Sequence, residues 1–537
     1  MNANSRRRAR RLILAAVTAL AAHTVALGRD YYIAERGSGR ADASCPADAA
    51  PPSWFNNPTN WGSHPGQISA GDTVHLRGTL THSLVFRGGG QPGRPVVLRF
   101  DPGANLTAGV WPAATGAIDV DHETNIIIDG GASGIIGGNG GNPALVNGVI
   151  RNTENGTELA FREPSIFVRV VESSDVTVEN LAFYNLYVRT SRMDEAPASQ
   201  AKRDWSAVVF FDQFSPSRNM VVTNCIVHDA FSGLFMAYGP GCGNFECSRC
   251  TVYRCNWGGN CGDADGNARL DGLSVHDNIF RNFSNWEDLP VDHYHHDGFY
   301  GWAERGRLTR VRYYNNLVGP DFGSASAGLF CSGNISDVMI YNNVFRENPA
   351  DHPADGLVYI SPNAEVGGDF SVLNNTFLGG GSGVGVNFYR NRMNDSAVSQ
   401  RLIVENNILC GLGTAIAVYN FGGLTVIVAN HNLTHRLRPS MNYSISDTNV
   451  SHFLPRRRWQ GLGYGLHGRS GDPHLGANCV PLSGSPAIGT GLDLSADFST
   501  DWLGFPRPRG TAWDLGAAES VEARRQPGVF ASDAKYR

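Results

Sequence analysis

Residues Ser336 to Asn348 read SDVMIYNNVFREN, and the rest of the chain is organised around returns of that stretch. Its centre is an apolar residue, a spacer, Asn-Asn and two apolar residues, Ile340 to Phe345. The phrase returns at Val178–Phe183, Val222–Val227, Tyr313–Val318, Val372–Phe377, Val404–Leu409 and Val428–Leu433, with Arg249 and Asp277 holding the Asn place in two degenerate copies. Register residues fall at 180, 224, 249, 277, 315, 342, 374, 406 and 430, so the spacing runs from 24 to 44. A repeat of that size, built on short Val-, Ile- and Phe-rich segments with Gly and Asn between them, is a β-solenoid signature. Helical repeats keep a stricter period. In stacked parallel coils equivalent residues lie about 4.8 Å apart, close enough for an Asn at one fixed place to bond the Asn above and below. Asn also tolerates left-handed backbone at a tight corner.

These repeats resemble the right-handed parallel β-helix superfamily that includes pectate lyases and polygalacturonases. The resemblance covers most of the chain and implies an all-β, single-stranded, right-handed parallel β-helix of about ten coils with an N-terminal cap. It bears on fold far more than on reaction.

The organisation follows from the start of the chain. Residues 1–28 read as a secretory signal peptide: five Arg between Arg6 and Arg11, the run LILAAVTALAA, then Ala26-Leu-Gly28. The run is too short to span a bilayer, and a secreted protein is expected, periplasmic or extracellular. Loss of the five Arg takes the net charge from −5 to −10, which argues against a nucleic-acid partner. Residues 29–124 form the cap and entry coils, and 125–435 the body, with a central insertion at 281–296. An irregular excursion follows at 436–470, then a closing coil at 471–520 and a tail at 521–537. A monomer with no membrane span is expected. Ten cysteines in an exported chain predict disulfides. Cys225 and Cys250 share one column of adjacent coils, within bridging reach, and Cys247-x-x-Cys250 lacks a second zinc-ribbon pair.

Each ladder strand leads to a second strand with a shared opening: Ser232-Gly, Asp297-Gly, Ala327-Gly, Asp355-Gly and Ser382-Gly. The coil holding Asp297 carries extra residues, Asn285 to His296, rich in titratable groups. His293, His295, His296 and Asp297 offer acid, base or ligand chemistry within five positions. The phrase HHDGFY resembles the Asn-Thr-Asp-Gly corner of polygalacturonases, with Asp297 on that motif's first Asp. The next coil, Ala327-Gly-Leu-Phe-Cys331, lacks that family's paired acids, and its Gly-His-Gly and Arg-Ile-Lys do not follow. Asp263 and Asp265 could coordinate calcium, as acidic corners of pectate lyases do, or simply form an Asx turn. Trp302, Tyr359, Tyr389, Arg390, Arg392 and Tyr238 are candidates to line a sugar-binding groove.

Three functions fit. The first is a polysaccharide lyase acting on uronic-acid units by β-elimination, with His295, His296 or Lys202 as base (one of only two lysines). The second is an inverting glycoside hydrolase using Asp297 and Asp355, placed at one corner position two coils apart. The third is a non-catalytic carbohydrate-binding surface protein.

Overall fold

The computed structural model describes residues 28–131, 147–154, 165–186, 207–212, 215–263, 266–283, 297–322, 327–349, 351, 355–363, 365–390, 398–419, 425–439, 441–446 and 452–520. Residues 1–27 and 521–537 lie outside these. Among the described residues, strands join one continuous sheet of 36. Its ladder pairings are parallel except for Tyr443–Ser446 against His452–Leu454. The chain is a parallel β-helix, as the repeats predict. No described helix is long and apolar enough to cross a membrane.

Each coil lays one strand on each of three faces. The first face holds the register strands, such as Ser174–Glu179, Arg218–Thr223, Gly368–Leu373 and Gln400–Glu405. The second face holds the short strands after the Asn corner, such as Leu181–Tyr184, Val344–Arg346 and Thr376–Leu378. The third includes Ile118–Asp121, Ile166–Val171, Ala207–Asp212, Gly356–Pro362 and Val384–Tyr389. Period-2 alternation drives the burial: Val176 and Val178 are wholly buried while Thr177 and Glu179 turn outward. Inside, like stacks on like, as in Phe345 on Phe377 with ring centroids 4.9 Å apart.

The Asn-Asn pair divides its labour. The first residue turns the corner in left-handed backbone, from Asn180 (φ 59°) through Asn342 (φ 55°) to Asn406 (φ 58°), with Arg249 and Asp277 doing so in the degenerate copies. The last such residue is His431 (φ 50°), not Asn430, because Glu405 pairs with Asn430. The continuous ladder belongs to the second residue. Asn278, Asn316, Asn343, Asn375, Asn407 and Asn432 point inward, each amide donating to the next Oδ1 at 3.0–3.1 Å. Each of those oxygens also accepts a backbone N–H, as Asn375 Oδ1 does from Asn343 at 2.9 Å.

Cys225 and Cys250 extend this column, and the Cys250 N–H donates to Asn278 Oδ1 at 2.8 Å. No disulfide joins any of the ten cysteines, against expectation. Both thiols are buried in the core, where each donates to the carbonyl two residues before it, at Thr223 and Ser248, at 3.2 Å. They pack as small core residues.

The excursion and the closing segment also differ from their expected forms. Trp459, on the short helix Arg456–Gly461, is 1% exposed and stacks on Tyr443 at 4.7 Å, so this region adds to the core. Residues 471–520 run back along the corner column instead of forming a coil. Asn406 donates to Leu492 O, Asn374 to Asp514 O and Gly516 O, and Asn342 to Thr500 O. A buried pair, Arg507 with Glu519 at 2.7 Å, fixes the segment, and Arg507 also donates to Asn342 Oδ1 at 3.0 Å.

Candidate functional site on the third face

Alternation places two columns of side chains on the outside of the third face. One runs Asn260, Tyr300, Phe330, Tyr359, Asn387 and Ala417. Its neighbour runs Gly262, Trp302, Ser332, Ser361, Tyr389 and Tyr419. Aromatic rings dominate the middle. Tyr300 meets Phe330 edge-on at 5.0 Å, Phe330 lies 4.5 Å from Tyr359, and Tyr300 stacks beside Trp302 at 6.1 Å. Further along, Tyr389 and Tyr419 stand 6.4 Å apart. Tyr300 Oη shares a hydrogen bond with Ser332 Oγ at 3.2 Å. Burial raises the Tyr300 phenol and pushes Tyr359 up to about 12, so both remain neutral hydrogen-bonding groups.

Gly262 makes the Trp302 position possible. A Cβ there would sit 2.0 Å from the indole ring, so any larger residue would lift the ring off the sheet. Sequence reading singled out Trp302 but passed over Gly262, Tyr300 and Phe330. The available signal was register: all four belong to columns that only coil-to-coil pairing reveals.

The expected site residues separate into three groups. Trp302, Tyr359 and Tyr389 stand on this face, half-buried. Tyr238 does not line it: the side chain is wholly buried, and its hydroxyl donates to Trp302 O at 3.0 Å. Arg390 is 3% exposed and so presents no guanidinium to a ligand. The strand reverses side at each residue, which turns Arg390 away when Tyr389 faces out. His293, His295, His296, Lys202, Arg392 and Asp265 lie outside the described residues.

Asp297 opens the strand that carries Tyr300 and Trp302. It is wholly buried, and its Oδ1 accepts the Ala327 N–H at 3.0 Å. Burial pushes its carboxyl well above the usual range, and the charge of Asp355 adds to that. Both effects favour the protonated form. The expected corner equivalence with Asp355 fails. Asp297 registers with Ala327, and Ala327 with Gly356, so Asp355 falls one residue early. Gly356 takes φ +115°, a conformation that shifts the Asp-Gly pair out of line with Asp297-Gly298.

Asp263 serves the backbone. Its two oxygens accept the N–H groups of Glu304, Arg305 and Gly306 at 3.0, 2.8 and 2.6 Å. These bonds tie it to the turn after Trp302. Among the described residues no group of three or more His, Cys, Asp or Glu is arranged to hold a metal ion.

No protein-family model and no curated protein matches the sequence. Among solved structures, pectate lyase Pel9A is 14% identical with a TM-score of 0.42, covering 92% of this chain and 97% of that one. A family 28 exopolygalacturonase from Yersinia enterocolitica is 13% identical with a TM-score of 0.37, over 70% of this chain and 72% of its own. A GH136 lacto-N-biosidase from Eubacterium ramulus is 11% identical with a TM-score of 0.35, over 78% of this chain and 67% of its own. At these identities and scores the likeness lends nothing to a reading of the reaction.

Proposed function

We propose that the protein is a polysaccharide-cleaving enzyme that lays a chain across the aromatic columns of the third face and cleaves it by β-elimination beside Asp297. The observation that carries this reading is the pair of aromatic columns on one outer face, Tyr300, Phe330 and Tyr359 beside Trp302 and Tyr389. Sugar rings present apolar faces that stack on aromatic side chains, and neutral phenols bond their hydroxyls. Elimination needs a base for the proton beside the uronate carboxyl and an acid for the departing oxygen. His293, His295 and His296, just before Asp297 in sequence, supply the base and the acid. Hydrolysis by Asp297 with Asp355 loses its main support, since the two are not at one corner position.

Incubation with polygalacturonate and rhamnogalacturonan tests the reading through the ultraviolet absorbance of unsaturated uronates. The double variant His295→Ala, His296→Ala should cut that product by about 10²–10⁴-fold while keeping nearly the same melting temperature. Tight binding with no product from either polymer would instead make this a binding protein. New reducing ends without unsaturation, lost in Asp297→Asn and Asp355→Asn alike, would restore the two-carboxylate hydrolase.

A further inference from the structure

The N-terminal end of the third face holds titratable groups that the elimination reading does not use. Val171 registers with Asp121 on one side and Asp212 on the other. The two aspartates therefore share one outward column with a single strand between them. Two strand spacings separate their backbones by about 9.5 Å, the arrangement that Asp297 and Asp355 fail to make. The column continues over a low floor. Phe211 registers with Met236, which puts Ala237 beside Asp212, and Ala237 registers with Gly262, beneath Trp302. A chain on the aromatic columns can thus extend to Asp212 without meeting a large side chain in that column.

The two carboxyls live in different surroundings. Asp212 is 8% exposed, and no described residue hydrogen-bonds or ion-pairs with its carboxyl. Its oxygens are not sealed from solvent, so a ligand can reach them. Burial pushes Asp212 up to about 6, Arg169 opposes the rise and Glu172 adds to it. Asp121, whose side chain is 41% exposed, is paired instead, with His122 Nδ1 at 2.6 Å and Arg169 at 3.6 Å. Its charge raises His122, which also reaches Glu172 at 2.9 Å. Arg169 completes the set on Asp119 at 2.7 Å. Burial favours the proton on Asp212, while Asp121 sits between His122 and Arg169, an asymmetry that suits an acid and a base.

We propose that this end of the face is a second reacting centre, an inverting glycosidase in which Asp212 is the general acid and Asp121 the general base. A water between them attacks the anomeric carbon as the glycosidic C–O bond breaks. Its proton passes to Asp121, and the Asp212 proton goes to the departing oxygen, so one water is consumed per bond. With Asp212 holding its proton, Asp119, Asp121, Glu123 and Glu172 still outnumber Arg87, Arg169 and His122, so the sugar taken here is neutral and not a uronate. The proposal rests on the reading above only in that a polysaccharide lies along this face.

The two centres give different products, which separates their tests. The whole protein and its Asp212→Asn, Asp121→Asn and Asp297→Asn variants are incubated with neutral galactan and xylan, and separately with polygalacturonate. Reducing ends, the anomer first released (by proton magnetic resonance) and unsaturated product are followed. We expect inverted reducing ends from a neutral polymer, reduced about 10²–10⁴-fold in Asp212→Asn and Asp121→Asn, with elimination unchanged in both. Hydrolysis should fall as pH rises past about 6, where Asp212 loses its proton. Asp121 is more exposed than Asp212, so Asp121→Asn decides the case if Asp212→Asn fails to fold. No hydrolysis of either neutral polymer, retention at the anomeric carbon, or near-full activity in a folded variant would overturn the proposal. Hydrolysis without elimination would leave it standing and sink the lyase reading.

Discussion

The inner Asn ladder and the outer aromatic columns are built by the same device, one residue type repeated at one place in successive coils. Their outcomes differ because one column is sealed and the other open. In the ladder each amide is spent: Asn375 donates to Ile340 O, Leu373 O and Asn407 Oδ1, and accepts twice from Asn343. A buried amide left unmet would be costly, so the position tolerates little besides Asn or a small apolar residue such as Cys250. On the third face, Tyr300, Phe330 and Tyr359 meet one another through ring edges and tilted contacts, and Tyr300 and Tyr359 stay partly exposed. Repetition inside the solenoid produces stability, and repetition outside produces a surface for binding.

Breaking the ladder should have the largest effect. Asn375→Leu orphans the Asn343 N–H and the Ile340 carbonyl, among others, at about 1–3 kcal/mol each. A loss near 4 kcal/mol by chemical denaturation is expected from about two such groups. A loss under about 1 kcal/mol would mean the ladder only decorates the corner. A buried carboxyl outside any ladder gives the next test. Glu347 accepts one amide, from Gly380 at 2.8 Å, and burial pushes it up to about 7. Its raised value means the folded state keeps a proton that the unfolded state releases above the ordinary range near 4.5. Stability contributed by Glu347 is therefore whole below pH ~4.5 and is lost as pH rises through about 7, by roughly 3 kcal/mol at about 1.4 per unit. Glu347→Gln should flatten the pH dependence of the melting temperature across that window. The smallest effect belongs to the open columns: Trp302→Ala should weaken polysaccharide affinity about tenfold, some 1.4 kcal/mol, with little change in melting temperature. A drop in stability as large as that of Asn375→Leu would show that Trp302 is core and not site.

The candidate site was only partly legible. Trp302, Tyr359 and Tyr389 could be named because they end strands of recognisable form, and the structure puts them on one face. Tyr238 looked equivalent but sits one step out of phase, and a one-residue slip exchanges inside for outside. The same slip separates Asp355 from Asp297. Asp121 and Asp212 gave no local signal at all. They are 91 residues apart in sequence and become neighbours only through the register of Val171 with both.

The sequence by itself determined the solenoid, the left-handed corners and their approximate period, because each follows from chemistry within a few residues. Alternating Val, Ile and Phe select strands, and Asn or Gly accepts the backbone that a corner demands. Tertiary structure alone decided which Asn forms the ladder and that Cys225 and Cys250 lie unbridged in the core. It also decided that residues 471–520 dock sideways on Asn342, Asn374 and Asn406, and which carboxyls face one another. The coils differ in length from 24 to 44 residues, so position along the chain does not fix position around the solenoid. Only hydrogen-bonded register does, and it is a property of the stacked coils.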